Sequence, residues 1–231
     1  MSTPELIWQP SANFAERRGG ILPNMIVLHH TAMTSAEAAL ERLCDPAAEV
    51  SAHYLIAGDG RIWQMVDEAD RAWHAGAGSW AGCDDINSRS IGIELDNTGA
   101  HPFAEPQMAA LEALMPGIMA RWSIAPVNVI AHSDMAPERK SDPGARFDWQ
   151  RLARQGLSVW HEGPPVEGDD LSRFGDFAQS FGYPKGTPHE DLLHAFRLRF
   201  RPWKSGGIDA RDLEIIQSLA RLHVDHNAPN T

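Results

Sequence analysis

The sequence predicts an α/β fold, with a mixed central β-sheet of about five or six strands flanked by helices and a small C-terminal three-helix domain. Three observations carry this. Short apolar segments of strand length recur between glycine-containing turns up to about Trp160. Two stretches among them carry the three- and four-residue spacing of helices. Beyond Trp160 the pattern changes: HEGPPVEGDD, residues 161–170, is rich in proline, glycine and acid and reads as a linker, and the chain beyond it has helical spacing. The expected division is a larger domain over 1–160, a linker over 161–170 and a helical domain over 171–231.

Taken in order, Met25 to Leu28 is a buried strand and Ser35 to Cys44 a helix. Ala52 to Ile56 and Ile62 to Val66 are strands joined by AGDGR, whose Asp59-Gly60 pair suits a hairpin, so part of the sheet is antiparallel. Ile91 to Leu95 and Val127 to Ala131 complete the strand set. Between them, Glu105 to Trp122 places Met108, Leu111, Leu114, Met115, Ile118 and Met119 on one helical face. After the linker, Leu171 to Phe181, Pro188 to Phe200 and Asp209 to His223 read as amphipathic helices. Thr187-Pro188 and Asp209 supply their starts, because a capping oxygen satisfies free N–H groups and proline is tolerated in a first turn. So small a bundle has a marginal core and leans on the larger domain or binds something.

Charge narrows the function. Twenty basic against thirty-one acidic side chains leave a net charge of −11 over 231 residues, which repels phosphate backbones and anionic lipids. Neither nucleic acid nor a membrane is the expected partner, and no run approaches the eighteen or so apolar residues a membrane span needs. The first twenty residues lack the apolar stretch of a signal peptide, which predicts a cytoplasmic location, with the periplasm as the alternative. Two cysteines, Cys44 and Cys83, are expected as free thiols.

Eleven histidines are the unusual count. His29-His30 follows the strand MIVL, His132 follows VNVIA, and Asp142 lies in the loop SDMAPERKSDPG. Two imidazoles and a carboxylate suit a catalytic zinc, which keeps an open position for water, and the same set can hold iron. Alternation along a strand sends His29 and His30 to opposite faces, so both are not ligands. Glu94 ends the strand SIGIEL, where a carboxylate either pairs with a cation or works as a general base. Lys140 is a solvated loop lysine or, beside a metal, a stabiliser of a developing oxyanion.

In these segments the chain resembles a known family. VLHHTA, VSAHYLI, RAWHAG, SIGIEL and AHSDMAPERKSDPG followed by FDW are similar, in the same order over about residues 24–154, to the zinc-dependent N-acetylmuramoyl-L-alanine amidases of the AmpD/AmiD type. The resemblance implies cleavage of the amide between the lactyl group of N-acetylmuramic acid and the L-alanine of a peptidoglycan stem peptide. It implies His29, His132 and Asp142 as zinc ligands, Glu94 as proton acceptor and Lys140 as transition-state stabiliser, with His30 the alternative to His29. His30, His53, Tyr54, Trp73, His74, Ala75 and Arg139 fall at matched positions and are expected to shape the substrate groove. LLHAFRLRFRP and GGIDARDLEIIQSL resemble more weakly the three-helix peptidoglycan-binding domains attached to some of these amidases. The implied role is muropeptide recycling; the alternatives are a broad amidase acting on intact wall, or a recognition module that binds without cleaving.

Overall fold

The computed structural model describes residues 4–161 and 170–222. The predicted linker, apart from its end residues, and His223 at the end of the last predicted helix lie outside the described residues. In chain order the elements are β1 (Leu6–Trp8), β2 (Phe14–Glu16), β3 (Met25–His30), α1 (Ala36–Cys44), β4 (Tyr54–Ile56), β5 (Ile62–Gln64), β6 (Asp70–Ala72), α2 (Ile86–Arg89), β7 (Ser90–Leu95), α3 (Glu105–Trp122), β8 (Val129–Ala131), α4 (His132–Met135), α5 (Trp149–Arg154), α6 (Phe174–Phe181), α7 (His189–Phe200) and α8 (Ala210–Leu219).

The mixed sheet is present, with six strands in the order β1-β5-β4-β7-β3-β8. Among the described residues its only antiparallel pair is the predicted β4–β5 hairpin; the other neighbours run parallel. The hairpin turn needs its glycine twice over. Gly60 has φ of +92°, and a Cβ there would lie 2.9 Å from the Pro106 carbonyl oxygen at the start of α3. Strands β1, β2 and β6, of three residues each, go unmarked in the sequence because they are too short for a period to show. β1 extends the sheet beside β5, and β2 pairs with β6 in a separate two-stranded sheet.

Alternation sorts the strand residues between two layers. Ile26, Leu28, Ile91, Ile93 and Leu95 pack against Met108, Leu111, Leu114, Met115 and Ile118 of α3. On the other face, Val27 and Ile130 share one apolar cluster with Phe174, Phe181, Phe196, Phe200 and Ile216 of the C-terminal helices. A third cluster joins Ala39 and Leu43 of α1 to Leu55 and Trp63. Ser35 caps α1 by accepting the Ala38 N–H at 3.1 Å, and Asp209 caps α8 by accepting the Asp212 N–H at 3.1 Å. Thr187 caps nothing: its hydroxyl donates to the Pro184 carbonyl, and Pro188 itself stands before α7.

Tyr54, expected in the groove, is instead a structural donor. Only 1% exposed, it donates to Glu68 Oε1 at 2.7 Å, and the same carboxylate accepts from Arg121 at 2.7 Å and Trp122 at 2.6 Å. Burial pushes the Glu68 carboxyl up, but these hydrogen bonds outweigh it and hold it below the ordinary carboxylate range. A folded-state pKa below the unfolded value gives stability that is full above the unfolded pKa, about 4.3, and is lost as pH falls through the folded one. Urea unfolding should show Tyr54→Phe less stable by about 1.5–3 kcal/mol at pH 7. Glu68→Gln should narrow the difference in stability between pH 7 and pH 3; an unchanged difference would remove the assignment.

Candidate active site

The site follows from parallel strands ending at one edge. β3 lies between β7 and β8, and the pairings Leu28 with Ala131 and His29 with Glu94 put the ends of all three side by side. His29 keeps the face of Val27, Glu94 that of Gly92, and His132, first residue of α4, that of Ile130. The Ser133 N–H then donates to the Asp142 carbonyl at 3.0 Å and folds the following loop back, so that Asp142 meets both histidines.

Three donor atoms converge. His29 Nδ1 and His132 Nδ1 are 2.9 Å apart, and Asp142 Oδ2 lies 3.1 and 3.0 Å from them. These are the one group among the described residues with the spacing to hold a metal ion. Donors about 2.0–2.2 Å from a tetrahedral ion stand about 3.3–3.6 Å from each other, so the set fits after opening by about half an ångström. The donor chemistry fits as well. Burial first, and then the neighbouring His132, lower the pKa of His29 to about 4, which leaves its lone pair free at neutral pH. Burial raises the Asp142 carboxyl, but His132 and His29 outweigh it and keep it ionised.

Each imidazole is held from behind. With Nδ1 turned to the centre, Nε2 carries the hydrogen, and His132 Nε2 donates to the Ala75 carbonyl at 2.9 Å. His29 Nε2 lies 3.0 Å from His74 Nδ1, His74 Nε2 lies 3.1 Å from Ser90 Oγ, and Ser90 donates to the Ile86 carbonyl at 2.6 Å. Proton polarity runs one way along this chain, from His29 to backbone. The His74 ring rests on Gly92, where a Cβ would sit 2.4 Å from His74 Cγ.

Glu94, Lys140, Trp73 and His30 line, with the metal group and His74, a cavity of about 300 Å³. Burial, and then the charge of Asp142, push the Glu94 carboxyl up to about 8 against the opposing pull of Lys140. Glu94 Oε2 and Trp73 Nε1 are buried in this wall without a hydrogen-bond partner among the described residues, two polar atoms that a ligand can satisfy. His30, next after His29 on β3, lines the same cavity and lies against Gly99, where a Cβ would sit 2.8 Å from its Nε2. The structure therefore brings together eight of the expected site residues in one cavity wall.

The other four stand behind it. His53 is wholly buried and accepts the Gly92 N–H at 3.0 Å; Tyr54 belongs to the Glu68 cluster; Ala75 supplies the carbonyl under His132. Arg139 is exposed and donates through Nε to the Ala77 carbonyl at 2.8 Å, holding the loop that carries Ala75. Sequence reasoning missed Ala39, Arg42 and Leu43, which face the cavity from α1. Their spacing at i, i+3 and i+4 was the available signal.

The family description "N-acetylmuramoyl-L-alanine amidase" matches residues 19–145, a stretch that contains every residue of this wall. The amidase AmiD of Escherichia coli is 37% identical over 84% of this chain and 81% of its own length. The chain belongs to the N-acetylmuramoyl-L-alanine amidase family. The 1,6-anhydro-N-acetylmuramyl-L-alanine amidase AmpD of Citrobacter freundii is 35% identical over 62% of this amidase and 86% of itself. Among solved structures, E. coli AmiD in complex with the substrate anhydro-N-acetylmuramic acid-L-Ala-D-γ-Glu-L-Lys has a TM-score of 0.77 at 32% identity, covering 90% of this chain and 97% of that one. Pseudomonas aeruginosa AmpDh3 with an anhydromuramic pentapeptide has a TM-score of 0.76 at 29% identity, covering 90% and 93%.

The support beneath His29 is open to test. Gly92→Ala inserts a methyl group into the His74 ring and should shift His29 with it. The expected result is a loss of about 10–100-fold in affinity for a divalent ion, measured by competition with a chromophoric chelator. Unchanged affinity would show that His74 does not orient the ligand.

Proposed function

We propose that this amidase hydrolyses the amide between the lactyl group of N-acetylmuramic acid, in its 1,6-anhydro form, and the L-alanine of a stem peptide, using a zinc ion held by His29, His132 and Asp142. The observation that carries the reading is that the three donors, Glu94 and Lys140 all line one cavity. Two relatives of the same fold were solved with anhydromuramic peptides, which supports the anhydro form. We read residues 1–160 as the catalytic domain, 161–170 as linker and the helices of 171–231 as a domain of peptidoglycan-binding type.

Zinc, when bound, lowers the pKa of water toward about 7 and polarises the carbonyl. Glu94, as the carboxylate, takes the proton of the attacking water and returns it to the alanine nitrogen as the C–N bond breaks. The products are a lactyl carboxylate and a free peptide amine. Lys140 donates to the oxygen that gathers charge in the tetrahedral intermediate. Trp73 offers a ring face and its Nε1–H, unpartnered among the described residues, to the sugar or peptide, with His30 in the same cavity. His53, Tyr54, Ala75 and Arg139 serve the groove from behind its wall.

The test is to incubate the protein, before and after chelation, with an anhydromuramoyl tripeptide and with intact sacculi, and to follow free peptide by mass. Zinc-dependent cleavage of the small muropeptide alone supports recycling, which places the enzyme in the cytoplasm; cell fractionation checks that placement. Cleavage of both supports a broad wall amidase. That second reading is favoured by the C-terminal helices, whose sequence resembles peptidoglycan-binding domains suited to holding intact wall. Among variants, Glu94→Ala should retain zinc and lose about 10²–10⁴-fold in rate, whereas His132→Ala and Asp142→Ala should lose both. A fully active Glu94→Ala enzyme would remove the base.

A further inference from the structure

A buried polar cluster joins the C-terminal helices to the segment that carries the metal ligand His132. Asp134, in the middle of the four-residue α4, is wholly buried. Its Oδ2 accepts the Ala131 N–H at 2.9 Å, closing the turn that presents His132, and also accepts from Arg199 Nη1 at 2.6 Å. Its Oδ1 accepts from the Tyr183 hydroxyl at 2.8 Å. Arg199, on α7 and 1% exposed, donates further to the Val129 carbonyl at 3.1 Å and to Ser158 Oγ at 3.2 Å, and lies 4.3 Å above the Trp149 ring. One guanidinium thus grips both β8 and the carboxylate just past it.

A carboxylate with no access to water must be paired, since removing one partner leaves an uncompensated buried charge. The partners come from the segment that the sequence marks off as a separate helical domain, yet they close on the turn bearing one ligand, and Tyr183 shares an apolar cluster with Val27 and Ile130 of the sheet. Through the Ser133 N–H, that turn also sets Asp142. We propose that Tyr183 and Arg199 are positioning residues for the metal centre: the C-terminal helices hold His132 and Asp142 in place through Asp134, besides whatever they bind themselves. The inference rests on His29, His132 and Asp142 holding a metal.

Its test compares Tyr183→Phe and Arg199→Gln with Arg197→Gln. Arg197 pairs with Asp212 of α8 and with the carbonyls of Gly206 and Gly207 in the loop before it, and makes no hydrogen bond to Asp134. Zinc affinity is read by chelator competition well below each variant's melting temperature, and the visible spectrum of the cobalt-substituted protein reports ligand geometry. Tyr183→Phe deletes one oxygen and keeps the ring, so it preserves a folded protein should Arg199→Gln not fold. Weakening by about 10–100-fold, with an altered cobalt spectrum, is expected for Tyr183→Phe and Arg199→Gln. Arg197→Gln should melt earlier and bind zinc as the unaltered protein does. Wild-type affinity and spectrum in Tyr183→Phe would overturn the inference alone, and so would equal weakening in Arg197→Gln, which would mark a general loss of stability. An unaltered protein that takes up no zinc would overturn the metal-centre reading and this inference with it.

Discussion

The parallel pairing of β3 with β7 and β8 is the constraint on which the rest of the site depends. Parallel strands deliver their C-terminal ends to the same edge, and period-two alternation decides which face each next residue takes. Given Leu28 beside Ala131 and His29 beside Glu94, the two imidazoles and the carboxylate of Glu94 must emerge together. A shift of one residue in either pairing would turn a side chain of the site into the mainly apolar α3 layer. Register here is therefore both a folding and a chemical specification, and the apolar residues on the α3 side enforce it.

Around that edge the protein spends buried polar groups in one direction: each ligand imidazole is backed by an acceptor, and each acceptor is itself anchored to backbone. The His29–His74–Ser90 chain ends on the Ile86 carbonyl, and His132 ends on Ala75. Such chains fix tautomer and ring plane before any ion arrives. On the open side the reverse holds, since Glu94 and Trp73 keep buried polar atoms unpartnered among the described residues. The site is thus satisfied behind and unsatisfied in front, the asymmetry expected of a pocket prepared for a ligand.

Much of this was legible in the sequence. The long strands and α3 declared themselves by periodicity, and Ser35 and Asp209 by capping chemistry. Five motifs in order named eight of the residues that line the cavity. What sequence could not show was depth. His53 and Tyr54 have the same residue types as groove-lining side chains, and only the three-dimensional course of β4 puts them beneath the wall. Arg17, adjacent to Arg18 in a pair that looks exposed, is buried and donates to the carbonyls of Glu68, Ser88 and Ser90, a role set by contacts fifty or more positions away. The linkage of Arg199 to Asp134 is equally silent, because sixty-five positions separate the two in the chain.

The face of the sheet carrying Val27 and Ile130 is closed by Phe174, Phe181, Phe196 and Phe200. Those phenylalanines follow every strand of the sheet in the chain and are synthesised after them. During translation the strands are complete while one side of them still lies bare, an apolar surface of the kind that chaperones hold and that drives nascent chains to associate. The interior of this face is finished only once those helices have been made, so the time the sheet spends uncovered depends on how promptly they follow the strands they cover.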